Sequence, residues 1–237
     1  PSPRPARIGT VRGAMGLDRR GPDVVTAAAT VSGGRLVAEG PLWTELELAL
    51  DASFCADAVL VLQVAKTSPR VDALLRFHAP GRWDPENWYA ALPFFAGAGA
   101  ALVLDRAGWP LRPRTDQLPG TLGDFYALQA GWASVAQDQG VAVAMIDGPL
   151  LQLGPLAPGE RLLAGDPRLA DDPAHPYAWL MTNFWETNFQ AHLGGFHEYR
   201  FVVRWGPDLA AAAAALAACR AAGQGLTAFR LGRTDRN

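Results

Sequence analysis

Residues 198–205 read Glu-Tyr-Arg-Phe-Val-Val-Arg-Trp, and this stretch decides the fold class. Apolar side chains at positions 199, 201, 203 and 205 alternate with charged side chains at positions 198, 200 and 204. Because successive side chains of a β-strand point to opposite faces, this period of two predicts a strand with one buried and one solvated face. The apolar set, from Tyr199 to Trp205, is expected to point inward.

Similar patterns extend along most of the chain. Leu42–Leu50 alternates in the same way and predicts a half-buried strand, whereas Ala58–Lys66 is apolar on both faces and is expected to lie between two layers. Val24–Val31 and Arg35–Glu39 flank Ser32-Gly33-Gly34, which is typical of a hairpin turn. Further strands are predicted at Ala73–Phe77, Trp88–Phe95, Ala100–Asp105, Tyr126–Val135, Val141–Ile146, Tyr177–Met181 and Leu226–Leu231.

One helix is predicted near the C-terminus. Pro207 suits a first helical position, and Asp208 complements the positive end of the helix dipole. Leu209–Ala222 is almost entirely Ala and Leu, and Gly223 is a natural stop. Because this helix has so few polar residues, a broad face of it should pack on the sheets. Many strands and one late helix predict an all-β fold, a large two-sheet antiparallel sandwich.

Composition limits the classes of function. The chain has 237 residues, 49% of them hydrophobic, and a formal net charge of −2. No basic face predicts a nucleic-acid partner, and no apolar run reaches the roughly 18 residues of a membrane span. Cys55 and Cys219 match neither a metal site nor a disulfide framework, so we expect two reduced thiols and a cytoplasmic protein. Residues 1–6 are interpreted as a linker remnant of a longer protein, and residues 7–237 as a single β-sandwich domain.

Residues 181–189 read Met-Thr-Asn-Phe-Trp-Glu-Thr-Asn-Phe and combine aromatic, amide and carboxylate side chains. Aromatic faces stack on the C–H faces of sugars, while amides and carboxylates hydrogen-bond hydroxyl groups. The segments 116–120 and 124–129 have a similar character. In the alternative interpretation, the Asn and Thr side chains bond loop backbone and the aromatics fill the space between sheets. The candidate carbohydrate-cleft residues are Asp116, Gln117, Asp124, Tyr126, Asn183, Trp185, Glu186 and Asn188.

The chain shows no recognisable catalytic centre. Glycosidases need two carboxylates that flank the scissile bond, and no spacing of acidic residues singles out such a pair. His192 and His197 are five positions apart across two glycines, which is not the spacing of a helical zinc site. We therefore assign no catalytic residue and no metal ligand to this chain.

Four blocks, in order, are similar to the C-terminal region of glycoside hydrolase family 38, the α-mannosidase family. The resemblance covers about residues 83–205, and it continues into Gly194-Gly195 and Tyr199-Arg200-Phe201. The blocks are Pro85–Phe94, Asp116–Gln129, Val141–Gly154 and Met181–Phe189.

This resemblance implies a supersandwich similar to the galactose mutarotase-like fold. It also implies that the nucleophile, the acid/base and a divalent metal, zinc or calcium, belong to an N-terminal catalytic domain that this chain lacks. The expected partners are that domain and a carbohydrate substrate. The sandwich would support the catalytic barrel and line its cleft through the loops of Asp116–Asp124 and Trp185. It would also expose an apolar patch, bordered by these loops, when separated from the barrel.

Two alternatives remain open at this point. A mutarotase-like sugar epimerase would need an acid and a base from His192, His197 and Glu198, but the last two are neighbours and would face opposite sides of a strand. A lectin-like carbohydrate-binding module would use exposed Trp side chains as platforms. The candidates for that role are Trp83, Trp88, Trp109 and Trp185; for the last, the family interpretation instead predicts burial, with Glu186 facing a polar pocket.

Overall fold

The computed structural model describes residues 25–83, 86–156, 162–169, 175–183 and 192–225. In this part of the chain, thirteen strands form two antiparallel sheets, and one α-helix follows the last strand. This confirms the all-β class and the single late helix. The strands are β1 (Thr30–Glu39), β2 (Trp43–Asp51), β3 (Ala56–Ala65), β4 (Arg70–Ala79), β5 (Asn87–Ala91), β6 (Ala101–Arg106), β7 (Trp109–Leu111), β8 (Phe125–Ala127), β9 (Gly131–Val135), β10 (Gly140–Met145), β11 (Leu150–Leu153), β12 (Pro176–Thr182) and β13 (Gly195–Gly206).

The two sheets differ in size. The large sheet has the strand order β1-β2-β3-β4-β13-β10-β9-β6-β7, and the small sheet has the order β5-β12-β11-β8. The small sheet packs over the β4, β13, β10, β9 and β6 part of the large sheet and reaches one end of β3. The core between them contains Trp132, Leu104, Val143, Leu151 and Leu153, all inaccessible to solvent.

Strand β13 shows the predicted alternation with one difference. Phe201 and Val203 are buried between the sheets, as expected, but Val202 on the other face is buried too. Val202 packs in the cluster that includes the helix, so the expected solvated face is covered there. Trp205 is partly exposed, in contrast to its expected inward position.

The helix α1 (Ala212–Gln224) begins later than predicted. Residues Pro207–Leu209 form a separate turn of 3₁₀-helix, and Gly223 lies inside α1. The helix ends before Gly225, which has a φ of 66° that favours glycine. The predicted broad buried face is confirmed, because Ala215, Leu216, Ala218 and Cys219 pack on β9 and β10.

The predicted hairpin at Ser32–Gly34 is wrong. These residues lie inside β1, which pairs with β2 along its whole length, and the turn comes at Gly40–Leu42. The register shifts between Val31 and Gly33, as in a β-bulge. Glycine in a strand interior often marks a bulge, which explains why the pair was mistaken for a turn.

Two other strand boundaries also differ. The segment Tyr126–Val135 was predicted as one strand, but β8 belongs to the small sheet and β9 to the large sheet. The chain crosses between the layers at Leu128–Ala130. Strand β5 ends at Ala91 and does not reach Phe95. The strand predicted at Leu226–Leu231 lies outside the described residues.

Strand β3 is not enclosed between two layers, in contrast to the prediction for Ala58–Lys66. Only Ala58 and Val61 are buried on it, because the small sheet reaches no farther than the Ala58 end of β3. One face of β1–β3 is therefore left without a second layer within the described residues. We call it the uncovered face; its residues are Leu36, Leu46, Leu48, Leu60, Leu62 and Val64.

Candidate functional site

Asp116 closes its own turn. Its carboxylate accepts hydrogen bonds from the Arg112 guanidinium at 2.8 and 3.1 Å and from the Arg112 backbone N–H at 2.9 Å. Hydrogen bonding and charge from Arg112 lower the pKa of Asp116. Asp116, a predicted cleft residue, therefore stabilises the conformation of the loop between β7 and β8.

Gln117 connects this loop to the small sheet. Its Oε1 accepts hydrogen bonds from the Arg114 backbone N–H at 2.9 Å and from the hydroxyl of Tyr126 at 2.8 Å. Its Nε2 donates to the carbonyl of Leu122 at 2.6 Å. The structure thus brings two of the predicted residues, Gln117 and Tyr126, into direct contact, and their polar atoms bond to each other.

Asp124 is a buried carboxylate with an unpaired atom. Only 1% of its surface is exposed, and Oδ1 has no hydrogen-bond partner in the described part of the chain. Burial raises the pKa of Asp124 to about 6, although the backbone N–H groups of Asp124 and Phe125 and the charge of Arg114 oppose the rise. Arg114 itself is held by the carbonyls of Gly123 and Gly154, at 2.9 and 2.5 Å.

Next to Asp124, the outer face of the small sheet carries a cluster of aromatic side chains. The strand register places Gln152 between Phe125 and Tyr177, and it places Trp179 opposite Tyr89. The ring of Trp179 lies 5.2 Å from that of Phe125 and 6.3 Å, stacked, from that of Tyr89. All four rings are half-buried, and we call the four rings together with Gln152 the aromatic face.

Polar atoms lie unpaired within and beside the aromatic face. Gln152 is 4% exposed, and neither its Oε1 nor the Nε1 of Trp179 has a partner in the described residues. Burial, with a smaller contribution from the charge of Asp124, raises the pKa of Tyr89 to about 12. Two acceptors and one donor are therefore unpaired, and all three atoms are themselves buried.

The sequence patterns identified only part of this cluster. The aromatic residues around Asp124 mark it as a candidate in the sequence. The patterns at Gln152, Trp179 and Tyr89 predict only ordinary strand residues. A usable signal was present: Tyr177 and Trp179 are two positions apart in a strand and so share a face. Their partners on β5, β11 and β8 depend on the pairing of strands distant in sequence.

Asn183 belongs to a different part of the molecule. Its Oδ1 accepts a 2.6 Å hydrogen bond from the backbone N–H of Glu86, and its Nδ2 donates to the carbonyl of Arg82 at 3.2 Å. The carboxylate of Glu86 also accepts from Trp88 Nε1 at 3.1 Å and pairs with Arg82 at 3.3 Å. These groups line a shallow pocket of about 190 Å³, including space open to solvent, which also contacts Met181.

The two predicted loops begin at opposite ends of the small sheet. Asp124 is level with Leu153 and the first residue of β12, because the Leu153 N–H donates to the Asp124 carbonyl at 2.7 Å. Asn183 follows the last residue of β12. At about 3.3 Å per residue, the length of β12 separates them by roughly 20–25 Å. Trp185, Glu186 and Asn188 lie outside the described residues.

The histidines near β13 do not form an acid–base pair with Glu198. His197 bonds the carbonyl of Leu193 at 2.8 Å, His192 accepts from the N–H of Gly194 at 3.3 Å, and Glu198 pairs with Arg76 at 2.9 Å. His197 stacks on Phe77 under the small sheet, while Glu198 is exposed on the other side. In the described residues, no group of three or more His, Cys, Asp or Glu side chains comes together as a metal site would require.

Both cysteines are free thiols. Burial raises the pKa of Cys219 to about 12, so this thiol is unreactive at neutral pH. No helix within the described ranges has the length and apolar character that crossing a membrane requires. Compared with protein-family models and with curated proteins, the chain matches none. Any proposal of function therefore depends on the residues and geometry given above.

Proposed function

We propose that this chain is the non-catalytic C-terminal β-sandwich of a cytoplasmic glycoside hydrolase that acts on α-mannoside-type glycans. In this proposal, the sandwich supports a preceding catalytic domain and lines part of its carbohydrate cleft. The nucleophile, the acid/base and the divalent metal, zinc or calcium, belong to that domain. The finer fold assignment, a galactose mutarotase-like supersandwich, is part of the same proposal.

The observation that carries the proposal is where the family-38-like blocks fall in the structure. Pro85–Phe94 contains β5, Asp116–Gln129 contains β8, and Val141–Gly154 contains β11 together with most of β10 in the large sheet. Met181–Phe189 begins at the end of β12. The four blocks thus touch all four strands of the small sheet, although these strands are far apart in sequence. A shared functional surface on this sheet would explain such a distribution.

The chemistry of the aromatic face supports a carbohydrate contact. Half-buried rings such as Trp179 and Tyr89 present flat apolar surfaces of the kind that stack on pyranose rings. Asp124, Gln152 and Trp179 add two unpaired acceptors and one unpaired donor; these atoms are buried, and hydroxyl groups could satisfy them once the neighbouring side chains move aside. We therefore propose sugar contacts on the outer face of the small sheet, with Asp124 at one end of it, rather than in the Asp116 turn.

The test compares this chain with the natural full-length polypeptide. The full-length protein should hydrolyse an activated aryl α-mannoside in the presence of added zinc or calcium, and the 237-residue chain should show only background hydrolysis. Hydrolysis by the chain alone would contradict the non-catalytic assignment. A full-length protein that is inactive on every α-mannoside tested would contradict the substrate class.

The contribution of the aromatic face can be tested in the same full-length protein. Gln152→Leu removes the amide from the face, while Gln63→Leu is the matched change on an exposed strand of the large sheet. If the face contacts sugar, the first variant should raise the KM several-fold and the second should not. Equal kinetic constants for both variants would show that the aromatic face does not line the cleft.

One observation favours a second candidate, a lectin-like module. Trp109 is 76% exposed at the edge strand β7, as a sugar-stacking platform would be. Trp88, by contrast, is only 8% exposed and packs on Phe54 and Phe77, so its expected role as a platform is wrong. Glycan binding by the isolated chain that disappears in Trp109→Ala would favour this candidate.

A further inference from the structure

The uncovered face is a continuous apolar surface. Cross-strand pairs on it include Leu36 with Leu46, Leu46 with Leu62, and Leu48 with Leu60. Leu36 is 55% exposed, and the other residues of this face are half-buried only. None of them belongs to any of the three buried core clusters. These leucines gain little of the free energy that full burial of an apolar side chain would provide.

The opposite face of the same strands differs in character. It carries the ion pair of Arg35 with Glu47 at 2.7 Å and the hydrogen bond from Gln63 to Glu45 at 2.7 Å. Between Leu36 and Val64 the uncovered face holds no charged residue, and one ion pair, Lys66 with Glu39, lies at its end. Such a sheet is built to have water on one side and another apolar layer on the other.

The size of the face indicates what kind of partner suits it. Three strands about 4.8 Å apart, over about eight residues of about 3.3 Å each, cover roughly 400 Å². Contact with one partner would bury roughly 800 Å² in total, counting both sides. That lies within the range of about 600–1,500 Å² for domains of one chain and below the range of about 1,200–2,000 Å² for stable complexes of separate proteins. A covalently linked partner is therefore favoured over a second copy of this chain.

We infer that the uncovered face is the docking surface for an uncharged, apolar face of a domain that precedes β1 in the same polypeptide. This inference rests on the proposed function, which supplies such a domain. The position of β1 supports it: β1 is the edge strand of the large sheet, and the polypeptide enters the sheet there, beside the uncovered face. A domain linked at that point is held at high effective concentration next to the leucines.

The test uses two adjacent positions on β1 that face opposite ways. Leu36→Cys reports on the uncovered face, and Arg35→Cys is the matched control on the charged face, both in a Cys55→Ser background. The alkylation rate of each thiol is measured in the natural full-length protein and in the 237-residue chain. We expect the Leu36→Cys thiol to react at least tenfold more slowly in the full-length protein, and the Arg35→Cys thiol to react equally in both.

Equal rates for Leu36→Cys in the two proteins would overturn the inference. So would protection that appears in the 237-residue chain alone and rises with its concentration, because the occupant would then be a second copy. The alkylation result can be interpreted independently of whether the full-length protein is an α-mannosidase. Protection of the Leu36→Cys thiol without α-mannosidase activity would support the docking surface and contradict the substrate class. Activity without protection would support the substrate class and contradict the docking surface.

Discussion

The buried carboxylate of Asp124 should make this domain less stable as the pH rises through 6. Its pKa is raised from the ordinary 3.8 to about 6 in the folded chain. Between these values the folded state holds a proton that the unfolded state has released, so the free energy of unfolding falls as the pH rises. At 1.36 kcal/mol per pH unit, the total loss is about 3 kcal/mol at most, complete somewhat above pH 6.

Asp124→Asn isolates this effect because an amide does not titrate in this range. The free energy of unfolding of the variant minus that of the wild type should rise by up to about 3 kcal/mol from pH 4 to pH 7 and then stay level. Urea denaturation at several pH values measures this difference whatever fixed contribution the new amide makes. The matched control is Asp116→Asn: Arg112 lowers the pKa of Asp116, so its contribution is lost only as the pH falls below about 3.8. The free energy of unfolding of Asp116→Asn minus that of the wild type should therefore not change between pH 4 and pH 7. The same constant value for Asp124→Asn would refute the reasoning.

Three further changes test the packing. Gly131→Ala places a Cβ against the backbone carbonyl of Val143 and should cost about 3 kcal/mol or more, while Gly33→Ala meets no atom within 4 Å and should stay within about 0.5 kcal/mol; equal denaturation midpoints would contradict this. Arg220→Ala removes the 3.0 Å partner of the fully buried Asp105 and should cost about 3 kcal/mol by urea denaturation, a loss that an additional change of that aspartate to Asn should partly reverse. Leu216→Ala, in the buried face of α1, should cost about 2–5 kcal/mol, and an unchanged melting temperature would show that the helix does not pack as described.

Local patterns located most strands but not their partners. The alternation of β2 and β13 follows from the period of two that any half-buried strand shows, so both could be found in the sequence. The pairing of β13 with β4 could not, because it joins segments that are far apart in the chain. The break between β8 and β9 was missed for a similar reason: Leu128–Ala130 remain apolar while the chain crosses from one layer to the other, so hydrophobicity does not change at the crossing.

The candidate site was predictable only in part. The mixture of residues around Asp124 marked it as unusual, and the structure places it beside the aromatic face. The prediction of Asp116 and Gln117 as cleft residues assumed that their polar atoms are free to bind a ligand. Asp116 is instead bonded to Arg112 in its own loop, and Gln117 is bonded to Tyr126 of β8. Sequence composition does not show which polar groups are already satisfied, and this decides whether a residue can contact a ligand.

The central position of β13 has a consequence for synthesis of the protein. Among the described strands it is the last to leave the ribosome, yet it lies between β4 and β10 and joins the two halves of the large sheet. Until β13 emerges, β4 has an open edge beside the incompletely buried leucines of the uncovered face, a combination that favours association with other chains. Overproduction at low temperature, or together with a chaperone that holds nascent chains, should therefore improve the soluble yield.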